Sequence, residues 1–324
     1  MKSMRFEFLR AQFRLLTLAI LAATVLLVAS QRMARVANAS PAARPAVERP
    51  PIVGVAHIAL LTDNLPAARE FYGHVLGFAE AFGDQEATGE AVIFKVDDHQ
   101  YVEILPGLKS PTEDRLVNIA FETTDASALR DYLASKGVDV PATAKPGRDG
   151  LSFTVQDPDG HSVEFVQYTP GSREARCFGK FMPATRVSGH MIHVGVTVAD
   201  RAAADRFYGD VLGFKLMWYG GMKDNRVDWV DMRVPEGSDW LEYMLNVHNP
   251  SPRTLGVMHH LALGVKSIQP AYQAVSARGY KAEEPKIGRD GKWQLNLYDP
   301  DLTRAELMEF KPADKPCCSP MIVP

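Results

Sequence analysis

Cysteine is scarce in this 324-residue chain: Cys177, Cys317 and Cys318 are the only three. No CxxC spacing occurs among them, so a thiolate zinc knuckle or a redox CxxC is excluded. Adjacent Cys317 and Cys318 stand in a proline-rich end and read as a tail feature, with a metal or disulfide role as the alternative. Charge of either sign is also muted. The net charge is −3 with no basic run, and this argues against a nucleic-acid partner. No lipobox-like cysteine follows directly on the one long apolar run, so lipid attachment there is not expected. At 46% hydrophobic and 23% charged, the composition is that of a globular chain with length for two domains.

That apolar run occupies residues 15–29, after a start carrying Lys2, Arg5, Arg10 and Arg14. Fifteen residues are short of the roughly 20 that span a bilayer. With the small-residue site Ala37-Asn38-Ala39, residues 1–39 read as a secretory signal peptide. An uncleaved inner-membrane anchor is the alternative, and it is the sole membrane contact expected. The remainder is then periplasmic or secreted. Residues 40–51 are a proline-rich linker.

The chain repeats itself. His57, Phe71, Tyr72, Gly77 and Phe78 recur as His193, Phe207, Tyr208, Gly213 and Phe214, each offset by 136. Each copy reads as a strand, a capping turn, an amphipathic helix and a glycine exit. Weaker versions follow, at Val117–Tyr168 and Val257–Phe310, with turns Asp157-Pro158-Asp159-Gly160 and Asp299-Pro300-Asp301. Gly147-Arg148-Asp149-Gly150 recurs as Gly288-Arg289-Asp290-Gly291. The fold class is therefore α+β, with four βαβββ-like units in two modules, 52–170 and 188–311. A linker, 171–187, joins them, and 312–324 is a tail. Each pair of units is expected to form a curved, partly open, mostly antiparallel barrel of eight strands whose concave face is a ligand pocket.

Superposing the units selects the polar residues at equivalent inward strand positions. The first module offers His57, Glu103, Asn118 and Glu164; the second offers His193, Glu242, His260 and Glu306. Carboxylates among apolar strand residues are costly without partners. Two imidazoles and two carboxylates make a mixed N/O site for a borderline divalent ion. Strand alternation points His259 away from His260 and His190 away from His193.

With these residues in view, the chain resembles the vicinal oxygen chelate superfamily of glyoxalase I, extradiol dioxygenases, methylmalonyl-CoA epimerase and the fosfomycin and bleomycin resistance proteins. The resemblance runs over residues 53–310. It is carried by His193 through Thr197 and Val198, Phe207-Tyr208 and Leu212-Gly213-Phe214, and by the Asp157-to-Glu164 ending. It implies a divalent ion (Zn, Ni, Mn or Fe) on His193, Glu242, His260 and Glu306. A crossed set of His57, Glu103, His260 and Glu306 is the alternative. Four protein ligands resemble the isomerase branch. The implied reaction is glyoxalase-like proton transfer beside a carbonyl of a small hydroxycarbonyl substrate, as an isomerase or lyase with Glu306 as base. Arg289, Trp293, Arg226 and Trp229 are expected to shape the substrate end. A ring-cleaving dioxygenase is the second reading. Iron dioxygenases of this fold carry a His and a Tyr ahead of the last ligand, as H-x(5–7)-[aliphatic]-Y-x-x-D-P. Here no His lies between His260 and Glu306 and Tyr298 directly precedes Asp299, which counts against it. A non-catalytic small-molecule binder is the third. Two modules in one chain allow a monomer or a homodimer.

Overall fold

The computed structural model describes residues 47–81, 91–147 and 150–322. Residues 1–39, expected to be a signal peptide or anchor, most of the linker, and Arg148-Asp149 of the first Gly-Arg-Asp-Gly copy lie outside these. Among the described residues no helix is long and apolar enough to cross a membrane.

In the first module β1 (Ile52–Thr62) leads to helix α1 (Leu65–Arg69). Asn64 caps this helix by accepting from the Ala67 N–H at 3.1 Å. The helix then widens into a π-helical stretch, Glu70–Val75, and ends at Gly77 with φ +77°. Strands β2 (Ala79–Ala81), β3 (Val92–Lys95), β4 (Tyr101–Pro106) and β5 (Leu116–Thr123) follow. After α2 (Ala126–Ser135) come β6 (Lys145–Gly147), β7 (Gly150–Gln156) and β8 (Ser162–Tyr168). A short helix, α3 (Arg173–Arg176), lies in the connection to the second module.

The second module repeats the plan. It runs β9 (Met191–Thr197), α4 (Arg201–Ala204) widening over Asp205–Val211, β10 (Lys215–Gly220), β11 (Trp229–Arg233) and β12 (Trp240–Met244). Then come α5 (Pro252–Met258), β13 (His260–Val265), α6 (Ile268–Ala277), β14 (Lys286–Ile287), β15 (Trp293–Tyr298) and β16 (Arg304–Glu309).

Two curled eight-stranded sheets result, in the orders β2-β3-β4-β1-β5-β8-β7-β6 and β10-β11-β12-β9-β13-β16-β15-β14. Within each, β4–β1 and β5–β8, or β12–β9 and β13–β16, are parallel and the other pairs antiparallel. The expected architecture is observed, with two adjustments. The short edge strands β2, β6 and β14 carry too few residues to show a period. Residues 257 and 258, expected in a strand, end helix α5, which Ser251 caps and Pro252 starts, and His259 is its C-cap.

The duplicated Phe-Tyr pair braces one module against the other. The Tyr72 hydroxyl donates to Asp299 at 3.0 Å, and the Tyr208 hydroxyl donates to Asp157 at 2.9 Å. Each leading-unit helix thus reaches the Asp-Pro-Asp turn of the opposite module. Thr62 repeats the link to Asp301 at 2.5 Å, and the Ala199 N–H to Asp159 at 3.1 Å. Burial pushes both tyrosine hydroxyls up, and the facing aspartates add to it, so the phenols stay protonated donors.

A second brace centres on His190, which bonds Asp239 at 2.7 Å and approaches Asp97 at 3.3 Å. Burial opposes its charge, but the two carboxylates win and raise its pKa to about 10. Its ordinary value is 6.5. The stability it contributes is therefore complete below pH 6.5 and lost as pH rises towards 10. Because the ring is about one-third exposed, we expect roughly 1–2 kcal/mol from it. Urea midpoints at pH 6.5 and 9.5 check this: the alkaline fall should be smaller by that amount in His190→Gln than in the wild type.

Candidate metal centre

The site lies on two adjacent rungs at the middle of the second sheet. Strand register sets Asp231 opposite Glu242, Glu242 beside Gly195, and Gly195 opposite His260. On the next rung Trp240 lies beside His193, His193 opposite Ala262, and Ala262 beside Glu306. Side chains two apart along a strand share a face, so both rungs present the concave side. The small residues between the large ones make the room. A Cβ on Gly195 would overlap the His260 ring.

The four expected ligand residues converge. His193 Nε2 and His260 Nε2 are 3.0 Å apart. Glu242 Oε2 is 3.1 Å from His260 Nε2 and 3.7 Å from His193 Nε2. Glu306 Oε2 lies 4.0 and 3.9 Å from the same two nitrogens. His193, His260 and Glu306 each offer one ligand atom within 4.8 Å of the others. The crossed combination is not brought together. Each sheet is built from the two units of one module, so His57 lies on the first sheet, 3.4 Å from Glu164.

His260 Nδ1 meets the Met258 carbonyl at 2.9 Å. A carbonyl only accepts, so Nδ1 carries the proton and the Nε2 lone pair faces the site. There it accepts from Arg304 Nη2 at 2.7 Å. Burial drives the pKa of both histidines well below its ordinary value, and the Arg304 charge adds to this, so both imidazoles are neutral. Burial raises the Glu242 and Glu306 carboxyls to about 7 against the pull of Arg304 and Lys292. Asp231 is pushed well above the carboxylate range by burial and by Glu242.

The residues fit a divalent cation. Four carboxyl groups (Asp231, Glu242, Asp290 and Glu306) face two cations, Arg304 and Lys292, which leaves two negative charges in excess when all are ionised. Two neutral imidazoles with nearby carboxylate oxygens are the donors a borderline ion takes at about 2.1 Å. Among the described residues, His193 Nδ1 is buried without a protein hydrogen-bond partner.

The cluster opens into a cavity of about 180 Å³. Of the residues expected at the substrate end, Arg289 and Trp229 line it. Two expected residues do not. Trp293 packs against the hydrophobic core, because its neighbour Gln294 takes the concave face and strand alternation sends the indole to the other. Arg226 pairs with Asp228 and faces a neighbouring groove beyond Trp229. Sequence reasoning missed Arg304, Asp231 and Trp240. Each was reachable by counting: Arg304 is two residues before Glu306, Trp240 two before Glu242, and Asp231 is opposite Glu242 in the hairpin. His259 points away as expected and bonds Asp114 at 2.9 Å and Thr197 at 2.9 Å.

The first module has lost the matching geometry at two linked positions. Ala59 stands where Gly195 stands, and Asn118 replaces His260; the two are register partners. The methyl of Ala59 fills the space an imidazole would need. Asn118 instead donates to Glu164 at 2.9 Å. Gly195→Ala in the second module should therefore displace His260 and cost about 1–3 kcal/mol by overpacking. A denaturation midpoint lower by that amount, together with reduced retention of a divalent ion after dialysis, is the expected result.

Similarity to known proteins agrees with this architecture. The family model described as Glyoxalase/Bleomycin resistance protein/Dioxygenase superfamily matches residues 54–165 and 190–307. An iron-dependent extradiol dioxygenase of Rhodococcus jostii (strain RHA1) is 30% identical over 176 residues, 51% of this chain. The match spans 55%, about half, of that relative. Among solved structures, homoprotocatechuate 2,3-dioxygenase of Brevibacterium fuscum in complex with 3,4-dihydroxyphenylacetate aligns with TM-score 0.60 at 20% identity, covering 82% of each chain. The 2,3-dioxygenase LapB of Pseudomonas sp. KL28 aligns with TM-score 0.62 at 16% identity, covering 83% of this chain and 97% of its own. A catechol 2,3-dioxygenase aligns with TM-score 0.63 at 15% identity, covering 85% and 94%. At these identities the structural likeness establishes the fold, and the family match covers most of the sequence beyond the linker. The chain belongs to the Glyoxalase/Bleomycin resistance protein/Dioxygenase superfamily, with two tandem modules of its fold.

Proposed function

We propose that this protein is an extradiol-type ring-cleaving dioxygenase, acting on a small aromatic vicinal diol with a ferrous ion held by His193, His260 and Glu306. The observation that carries the reading is the grouping of two neutral imidazoles and one carboxylate within 4.8 Å inside the second sheet. The similarity to an iron-dependent extradiol dioxygenase supports it and favours it over the glyoxalase-like isomerase expected above. Among Zn, Ni, Mn and Fe it favours iron.

A ferrous ion at this centre supplies the redox and Lewis-acid chemistry that lets a diol react with dioxygen. The chain's own residues do the rest. Trp218, Trp229 and Trp240 line the cavity and offer flat apolar surface to an aromatic ring while displacing water. The Glu242 carboxyl, held at about 7 by burial, takes a proton from a diol hydroxyl at Oε2. Arg304, within 3.8 Å of both glutamates, balances the charge that transfer leaves. In this reading Glu306 acts as a ligand, and Glu242 takes the place of base. One observation favours the isomerase as a second reading: Glu242 stands near enough to both imidazoles to complete a set of four ligands.

Oxygen-electrode assays of the ferrous-loaded, tag-free protein with a panel of catechols separate the two. We expect oxygen uptake with ring-opened product, lost to background in His193→Ala and His260→Ala and retained in His57→Ala. Turnover of a hydroxycarbonyl without oxygen uptake would overturn the dioxygenase reading. Loss in His57→Ala with retention in His193→Ala would overturn the site.

A further inference from the structure

The two adjacent cysteines lie against Trp218 and Arg289, two residues that line the second module's cavity. After β16 the chain crosses the open side of the sheet as a strap. At one end the Ala313 and Asp314 N–H groups donate to the Gly291 carbonyl at 2.8 and 3.1 Å, and the Cys317 N–H donates to the Arg289 carbonyl at 2.7 Å. At the other end Ser319 Oγ accepts from the Tyr219 N–H at 2.9 Å and donates to the Tyr219 carbonyl at 3.0 Å. The Ile322 N–H donates to the Met217 carbonyl at 2.8 Å. These contacts fall on β10, one edge of the sheet, and on the loop between β14 and β15 at the other edge. The strap therefore ties the two open edges together.

At its centre Cys317 and Cys318 are joined by a disulfide. Cys318 has φ +74°, a left-handed conformation that residues other than glycine adopt at a cost. Trp218 Nε1 donates to the Cys317 carbonyl at 3.1 Å, and Arg289 Nη2 contacts Cys317 Sγ at 2.6 Å. Trp218 and Arg289 both line the cavity. The bridged pair is thus coupled through two direct contacts to the wall of the site.

We propose that Cys317–Cys318 is a thiol–disulfide exchange site that latches the strap over the cavity, and that reduction by a small dithiol unlatches it. A thiolate of the reagent attacks Cys318 Sγ and breaks the S–S bond. Cys317 leaves as the thiolate, against the Arg289 guanidinium. The reagent's second thiol then displaces Cys318 and departs as a cyclic disulfide. Two electrons pass to the protein, and the two protons given up by the dithiol end on Cys317 and Cys318. The covalent ring that holds Cys318 left-handed is then gone, and the strap's backbone bonds compete with water. Trp218 and Arg289 lose their cover, and the cavity opens on that side. This gating is independent of which reaction the site performs.

The full chain carrying Cys177→Ser tests it without interference from the third cysteine. Alkylation counted by mass should find no reactive thiol in the oxidised protein and two after dithiothreitol. Amide exchange over residues 313–322 should be at least about tenfold faster in the reduced form, with residues 191–197 and 260–265 unchanged. Cys318→Ser in the same background should exchange like the reduced form under both conditions. Two alkylatable thiols persisting after oxidant treatment would overturn the proposal, as would equal exchange over 313–322 in both states. So would reduction that speeds 260–265 as well, because the pair would then hold the whole module and not a latch.

Discussion

Burying charge at the centre of the second sheet is the constraint on which the rest of the structure depends. Two neutral imidazoles and an excess of carboxyl groups occupy a place where water does not balance them. Holding them there requires rigid positions, and these are supplied by parallel and antiparallel pairing of β9, β12, β13 and β16 in mid-sheet. It also requires vacancies between large side chains. Gly195 and Ala262 provide these on the two rungs, so a methyl group at residue 195 decides whether the His260 ring has a place. Arg304 and Lys292 offset part of the negative charge, and a divalent cation fits the remainder.

The first module serves the second as a brace. Its Ala59 and Asn118 exclude the second imidazole, while its own Tyr72 and Thr62 hold the Asp299–Asp301 turn that precedes β16. That turn sets where Glu306 enters the site. Tyr208 returns the same contact to Asp157. Duplication therefore produced a reciprocal clamp as well as two potential sites, of which one kept the geometry of a metal centre.

Much of this was legible in the residues, because the repeat supplied an internal comparison. The offset of 136 aligned His57 with His193, and the units' last strands aligned Glu164 with Glu306. The α+β class, the two curled sheets and the four converging residues followed from those positions. The choice between within-module and crossed ligand sets was not legible, since it depends on which units share a sheet. The Phe-Tyr pair drew attention as part of a signature, but its inter-module role needed the three-dimensional contact with the opposite turn. Trp293 was assigned to the cavity on chemical type; period-two alternation places Gln294 there instead. Arg304 was overlooked because a charged residue beside a turn reads as solvated, although it shares a face with Glu306. The chemistry itself was the least legible part, since Glu242 suggests a four-ligand isomerase while similarity favours a three-ligand dioxygenase.

The central claim concerns the fate of dioxygen. Incubating the ferrous-loaded protein with a catechol under ¹⁸O₂, followed by mass spectrometry of the ring-opened product, tests it most directly. The account predicts that both labelled atoms appear in one product molecule, formed in proportion to oxygen consumed. A catechol product free of label, or conversion that proceeds equally without oxygen, would contradict it.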